Sequence, residues 1–251
     1  EHLGDVEGAF DVASRLLDEE PGDLDALARM ERIDAAAERW DRLLQTLSYR
    51  AEVGQPDERA QILSRMGALA DQRLGDLDRA AEYYAQALDL APGETAALDA
   101  LCDVYDRAER YRDLVELLRT RAEVETSAEV RAELYRRIAR ILESRVRNED
   151  AAAEAWQEVL GVGEDEEALR SLTTRARRRD VPEELESLLA RLAAVVQTPE
   201  DARDLLVERA DVLATTLARP AQAVPVLRDL LDRLDGACQP AILRLVGLAE
   251  Q

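Results

Sequence analysis

The side chains with the clearest chemical potential are five arginines within residues 170–179. They are Arg170, Arg175, Arg177, Arg178 and Arg179. A guanidinium binds a carboxylate through two parallel hydrogen bonds, so this group suits an acidic peptide or a terminal carboxylate. A structural interpretation competes with this one. Asp165, Glu166 and Glu167 precede the run, and acids at the start of a helix with bases at its end complement the helix dipole.

The chain lacks the residue combinations that support catalysis. His2 is its single histidine, which excludes Ser-His-Asp and Cys-His catalysis and zinc sites built on histidine. There is no lysine for Schiff-base chemistry, and neither GxxxxGK[ST] nor GxGxxG occurs. With 54 acidic residues, carboxylate pairs arise at any separation by chance. The sequence therefore predicts that the chain is not an enzyme and has no catalytic residue, no cofactor and no metal ligand.

The charge balance is strongly acidic, at −21 with the histidine neutral. Nucleic acids and anionic membranes bind proteins mainly through cations, so neither is a predicted partner. The negative sign instead favours partners that carry basic patches. All 33 basic residues are arginine, which a G+C-rich coding bias explains more simply than function does.

Cys102 and Cys238 lie far apart, outside any CxxC pair, and are predicted to be small buried hydrophobes rather than zinc ligands or a disulfide. This cysteine usage favours a reducing compartment without excluding the periplasm.

No apolar run reaches the roughly 20 residues of a transmembrane helix, and no signal sequence opens the chain. Because the chain starts at Glu1, we expect a segment of a longer bacterial protein, and the cellular location stays undetermined.

Apolar residues recur at helical spacing along the whole chain. Leu98, Leu101 and Tyr105 share one face, and after a break near Glu109 the next face begins at Leu114. Such i, i+3, i+4, i+7 patterns indicate amphipathic helices, and no stretch alternates as a strand would. The predicted fold class is all-α, with about fourteen helices joined by short loops into antiparallel hairpins.

Several motifs recur 71 residues apart. Leu3-Gly4-Asp5 returns as Leu74-Gly75-Asp76, and Pro21-Gly22 returns as Pro92-Gly93. A fixed period of this length indicates a repeat architecture. Repeats of this kind build extended surfaces rather than closed active sites.

A shorter period of 34 residues lies within each 71-residue unit and relates Ala80 to Leu114. Each unit therefore contains two helical hairpins, with slightly long joints predicted at residues 53–58 and 125–128. Gly67 stands one residue early for a small-residue position, which predicts one extra residue in the turn that follows it. Small residues such as Ala80 let neighbouring helices approach closely.

The residue types within the 34-residue period resemble the tetratricopeptide repeat. The matching positions are Leu98, Leu101, Cys102 and Tyr105 on a first helix, and Ala80, Tyr84, Ala87 and Pro92 on a second. The resemblance implies a right-handed superhelical solenoid of antiparallel helix pairs. One such array is expected over residues 1–251, with about seven pairs and with its start and end inside a repeat.

The resemblance also implies which residues line a groove, because the first helices of tetratricopeptide pairs form its concave side. The groove positions carried over are Arg136, Arg140, Arg170, Arg177 and Arg178, preceded along the chain by Asp99 and Asp103. A groove that is acidic first and basic later follows from this order. Chaperone-binding members of the family hold their ligands with a basic, Asn-rich clamp. Acids stand at two of those positions here, so that specific function is disfavoured.

The leading functional hypothesis is a non-catalytic scaffold that binds a protein or peptide in its groove. A second hypothesis is self-assembly into a homo-oligomer through the uncapped ends of the array. A third is a regulatory arm of a larger protein with a catalytic or membrane domain elsewhere.

Trp40 and Trp156 align with Tyr111 and Tyr84 in other repeats, which favours packing between helices over ligand stacking.

Overall fold

The structure is a computed structural model, and it describes residues 23–234 and 237–249 together with Gly8, Val12 and Arg15. Leu3-Gly4-Asp5, Pro21-Gly22, His2 and most of the helix expected over Val6–Glu19 therefore lie outside the described residues.

Every regular element in the described residues is helical, which confirms the all-α prediction. The α-helices are α1 (Leu24–Ala36), α2 (Trp40–Val53), α3 (Pro56–Leu69), α4 (Leu77–Leu90), α5 (Thr95–Arg107), α6 (Tyr111–Val124), α7 (Ala128–Ile141), α8 (Glu149–Val162), α9 (Glu166–Arg179), α10 (Pro182–Val195), α11 (Pro199–Asp211), α12 (Pro220–Arg233) and α13 (Gln239–Ala249). None of the described helices is long and apolar enough to cross a membrane.

Side-chain caps and prolines fix where many of these helices begin. Asp23, Asp76 and Asp165 each accept hydrogen bonds from backbone N–H groups in the first turn of the helix that follows. Other helices begin with a proline, such as Pro182 and Pro199, whose missing N–H costs nothing at that position. Sequence-local signals thus set the helix starts.

Alternate first helices are lengthened by five-residue π-helical segments. Ala70–Leu74 extends α3, Leu142–Val146 extends α7 and Val212–Thr216 extends α11. The sequence analysis placed the extra residues of the 71-residue unit in its joints and in the turn after Gly67. The structure instead has a five-residue π segment at the end of the helix that contains Gly67, where the wider π turn absorbs additional residues.

The turns between helices use left-handed backbone at repeating positions. Non-glycine residues with positive φ occur 71 residues apart, at Glu38 (54°), Glu109 (55°) and Asp180 (54°). Gly75, with φ 68°, and Arg147, with φ 57°, end the first two π segments. The repeat period is therefore visible in the backbone as well as in the side chains.

The chain divides into two compact units, which we describe separately: unit 1 extends to Leu114 and unit 2 begins at Val115, inside α6. In unit 1, Ala80 and Ala87 are completely buried, and Gly67 lies against the ring of Tyr84. The predicted small-residue positions are therefore confirmed as sites of close helix packing.

Unit 2 repeats the same packing. Ala152 and Ala223, the counterparts of Ala80, are 1% and 0% exposed, and Trp156 is 1% exposed. Burial of Trp156 confirms its predicted role in packing between helices. Cys238 in unit 2 and Cys102 in unit 1 are both buried and neither forms a disulfide, which confirms the interpretation of both as small hydrophobes.

Candidate interaction surface

Helix α9 carries the arginine run and has charged side chains at both of its ends. The Asp165 carboxylate caps it by accepting the Ala168 N–H at 2.9 Å, and Glu166 and Glu167 occupy its first turn. Its last turn is Arg177, Arg178 and Arg179. For these three arginines the arrangement agrees with the helix-dipole interpretation, because negative groups lie at the positive end of the helix and cations at the negative end, whereas Arg170 and Arg175 lie earlier in the helix.

The two arginines predicted on α7 reach the beginning of α9. Arg136 donates its Nε–H to the Asp165 carboxylate at 2.9 Å and also pairs with Glu133. Arg140 makes a two-pronged contact with Glu167, at 2.7 Å from Nε and 2.5 Å from Nη2. These contacts tie the first helix of one pair to the first helix of the next.

Two arginines of α9 reach α11 in the same way. Arg170 donates to Asp201 at 2.7 Å and to Glu166 on its own helix at 2.8 Å. Arg177 contacts Glu208 through two hydrogen bonds, at 2.7 and 2.6 Å. The hydrogen bond from Arg170 holds the pKa of Asp201 below its usual value.

The remaining arginines of the run face the beginning of α8. Arg178 donates to Glu149 at 2.6 Å, and Arg175 and Arg179 share Asp150 at 2.9 and 2.5 Å. The hydrogen bond from Arg175 lowers the pKa of Asp150. All five arginines that the sequence predicted as partner-binding therefore pair with carboxylates of the same chain.

The predicted acidic positions lie in unit 1. Asp99 and Asp103 are exposed on α5, and Asp103 pairs with Arg107 at 3.3 Å. Arg107 also pairs with Asp71, in the π segment that extends α3. Whether these acids and the arginines of unit 2 face one groove stays a prediction.

A cavity of about 490 Å³ with a partly charged lining lies in unit 2, between the π segment that extends α7, the first half of α8 and the exposed side of α9. Its charged lining consists of Glu143, Glu149, Glu167, Arg170, Arg175 and Arg178. Of the predicted residues, the structure thus brings Arg170 and Arg178 to one cavity, while Arg136, Arg140 and Arg177 lie outside its lining. The described residues contain no group of three or more potential metal ligands.

Glu143, which is exposed, and the buried Trp156 both line this cavity. Glu143 Oε1 accepts a hydrogen bond from Trp156 Nε1 at 3.0 Å and another from the Ser171 hydroxyl. Because Trp156 is almost fully buried, its indole holds the carboxylate in a fixed orientation. The sequence analysis missed Glu143, since its position depends on the π segment Leu142–Val146, for which the helical periodicity gave no signal.

Comparison with known proteins identifies the architecture. No protein-family model matches the chain, and no curated protein matches it. The solved structure of Naa15/Naa10 bound to HypK-THB matches with a TM-score of 0.55 and 17% identity, over 96% of this chain and 36% of that one. The similarity spans nearly all of this chain and concerns its fold.

Two further solved structures are described by name as TPR proteins. The C-terminal part of a repeat-containing protein from Cytophaga hutchinsonii has a TM-score of 0.38 and 14% identity, over 96% of this chain and 95% of that one. YrrB, which has an unusual peptide-binding site, has a TM-score of 0.39 and 18% identity, over 78% and 96%. Helix pairs whose close-packed positions are Gly67, Ala80, Tyr84 and Ala87 satisfy the repeat pattern. The chain has a tetratricopeptide-repeat fold.

One buried position of the tetratricopeptide pattern is occupied by charge in unit 1. Glu31 stands where the later repeats have Cys102 and Thr173, and it is 5% exposed. Arg50 and Arg65 donate to its two oxygens at 2.8 and 2.7 Å. Sequence reasoning missed this group, although the 71-residue spacing of the three residues would have placed Glu31 at a buried position.

Self-assembly through the ends of the tetratricopeptide array stays a prediction. The last described helix, α13, exposes three apolar side chains, with Ile242 at 40%, Leu243 at 70% and Val246 at 52%.

Proposed function

We propose that the chain is a scaffold that binds a segment of a partner protein along the first helices α7, α9 and α11 of unit 2. The observation that carries this proposal is the ordering of their charged side chains by contacts from helix to helix. Arg140 with Glu167, Arg170 with Asp201 and Arg177 with Glu208 follow one another along the three helices.

The ordering has more consequence for recognition than for stability. Exposed ion pairs of this kind each contribute about 0–1 kcal/mol. They do, however, hold long side chains in defined positions, which lowers the entropy lost when a partner binds. Such a surface supports the recognition of a partner segment by polar groups that are already held in position. A regulatory arm of a larger protein would use the same surface.

The arginine patch as a receptor for an acidic peptide is a narrower proposal, which competes with a cationic ligand. A partner carboxylate would replace an intramolecular one, such as Glu167 at Arg140. The double variant Arg140→Glu, Arg170→Glu should then weaken partner binding, while Arg137→Glu should leave it unchanged. Arg137 is exposed on α7 and forms no ion pair with a described residue, so it is a matched control.

The scaffold proposal is tested by placing a photo-crosslinking residue at Thr174, which is exposed on α9 between Arg170 and Arg178. Crosslinked partners are identified by mass spectrometry, purified and titrated against the full chain. Crosslinking at position 174, with little at the exposed position 158 on α8, is the expected result. Equal crosslinking at both positions, or none at 174, contradicts the proposal.

A further inference from the structure

We propose that the cavity of unit 2 receives a cationic side chain, an arginine or a lysine, from the partner segment, and that Glu143 binds it. The inference rests on the proposed scaffold function and specifies the chemistry of its ligand. The arginine run alone predicts an anionic ligand, whereas the ligand proposed here is cationic.

Glu143 differs from the other acids of the cavity in its partners. Glu149 pairs with Arg178 and Glu167 pairs with Arg140. In the part of the chain that the structure describes, no guanidinium pairs with Glu143, whose Oε1 is held only by the neutral donors Trp156 and Ser171. Its Oε2 receives no hydrogen bond from a described residue. A carboxylate that is oriented but lacks a counter-ion is prepared for a cation.

The charge around the cavity favours the same ligand. The three lining glutamates and three lining arginines cancel. The ion-pair partners of the lining residues add four carboxylates, Glu166, Asp201, Asp150 and Glu184, and one guanidinium, Arg140. Even with Arg179, which shares Asp150, the surroundings keep an excess of two negative charges. With the chain at −21, both the local and the overall charge attract a cation.

An anionic ligand would meet the opposite situation. Arg170, Arg175 and Arg178 each already contact a carboxylate within 3 Å, so an incoming anion must break an existing ion pair to bind any of them. An incoming cation breaks none at Glu143. The volume of about 490 Å³ also lies within the range of about 300–1,000 Å³ found for small-ligand sites.

The test titrates the full chain with a blocked pentapeptide that carries one central arginine among alanines, and follows the indole N–H signals by ¹H–¹⁵N NMR. The chain has two tryptophans, so Trp156 reports on the cavity while Trp40, in unit 1, is an internal control. A saturable shift of the Trp156 signal alone is expected. The same peptide with citrulline, which has the shape of arginine without its charge, should leave both signals in place.

The variant Glu143→Gln removes the charge and keeps an oxygen that accepts from Trp156 and Ser171. Loss of one charge-assisted contact should weaken arginine-peptide binding about tenfold or more. Glu158→Gln is the matched control, because Glu158 is exposed on the same helix as Trp156 and outside the cavity. Thermal melts of both variants establish that they fold.

The outcomes separate this inference from the scaffold proposal. Equal shifts with arginine and citrulline, unchanged affinity in Glu143→Gln, or tighter binding of a glutamate peptide would each overturn the cation site. If a partner still crosslinks at position 174 in that case, the scaffold function stands without it. If the arginine peptide binds at Trp156 but no partner crosslinks at 174, the cation site stands and the scaffold proposal falls.

Discussion

At the scale of single residues, the packing of Gly67 against Tyr84 in unit 1 depends on the absence of one methyl group. A Cβ atom added at Gly67 would lie 2.9 Å from the ring atoms of Tyr84, a distance that real Cβ contacts essentially never show. Tyr84 is itself 5% exposed and has little room to move. Gly67 is therefore required by the approach of α3 to α4.

The variant Gly67→Ala should lower stability, although alanine favours helix more than glycine by about 1 kcal/mol. Overpacking of a tight core costs about 1–3 kcal/mol, so the steric effect should win. Chemical denaturation followed by circular dichroism measures the change. In the background Tyr84→Leu, which removes the ring, the same Gly67→Ala change should be neutral or stabilising. A destabilisation of equal size in both backgrounds contradicts the contact.

The sequence predicted the close packing at Gly67 because the repeat pattern requires a small residue near this position. It did not predict Asp34, which the same 71-residue period aligns with Tyr105 and Ala176, and which is completely buried. Composition rules assign a carboxylate to the surface. Here the repeat position decides burial and the residue type does not.

At the scale of elements, the π segments and the turns after them give the array its long period. Helical periodicity predicted the helices, but it could not separate an α-helical end from a π-helical one, since the two differ by one residue in the hydrogen-bonded ring. The ion pairs between helices were equally inaccessible. The register of α7 against α9 that brings Arg140 to Glu167 depends on the length of Leu142–Val146.

Substituting alanine at Gly75, in a turn, and at Gly161, in a helix, tests the turn geometry. Neither would place a new Cβ within 4 Å of another atom, so backbone conformation alone decides the outcome. Gly75 has φ 68°, where a Cβ is disfavoured, and Gly75→Ala should destabilise by about 1–2 kcal/mol. Gly161 lies in α8, and Gly161→Ala should stabilise by up to about 1 kcal/mol. Thermal melts that shift in the same direction for both variants contradict this account of the turn.

At the scale of the whole molecule, acidic groups are placed in two opposite environments. Asp201 belongs to the paired surface, where hydrogen bonds from Arg170 and then Thr198 lower its pKa. Asp34 lies in the interior of unit 1, where burial raises its pKa more than Arg42 and Arg39 lower it. Neither carboxylate oxygen of Asp34 accepts a hydrogen bond from a described residue. One ionised carboxylate therefore stabilises the fold, and the other opposes it.

These shifts predict opposite effects of replacing each aspartate by asparagine. The pKa of Asp201 is lowered in the folded state, so its contribution is present above the usual value of 3.8 and is lost as the pH falls through the folded value. Asp201→Asn should therefore be less stable than the parent chain at neutral pH. The pKa of Asp34 is raised in the folded state, so protonated Asp34 favours the folded chain. This contribution to stability is lost as the pH rises from 3.8 through the folded value. Asp34→Asn, which resembles that form, should be more stable than the parent chain at neutral pH.

Both differences should shrink as the pH falls, because Asp34 becomes protonated below its raised pKa and Asp201 becomes protonated as the pH falls through its lowered pKa. This convergence separates charge from packing, since a purely steric effect of asparagine would be the same at every pH. Denaturation midpoints of the two variants and the parent chain, measured from neutral pH downward, check the prediction. Exposed Glu158→Gln is the control and should follow the parent chain throughout. If Asp34→Asn is the less stable chain at neutral pH and approaches the parent chain on acidification, the attraction of Arg42 and Arg39 outweighs burial and the sign given for Asp34 is wrong.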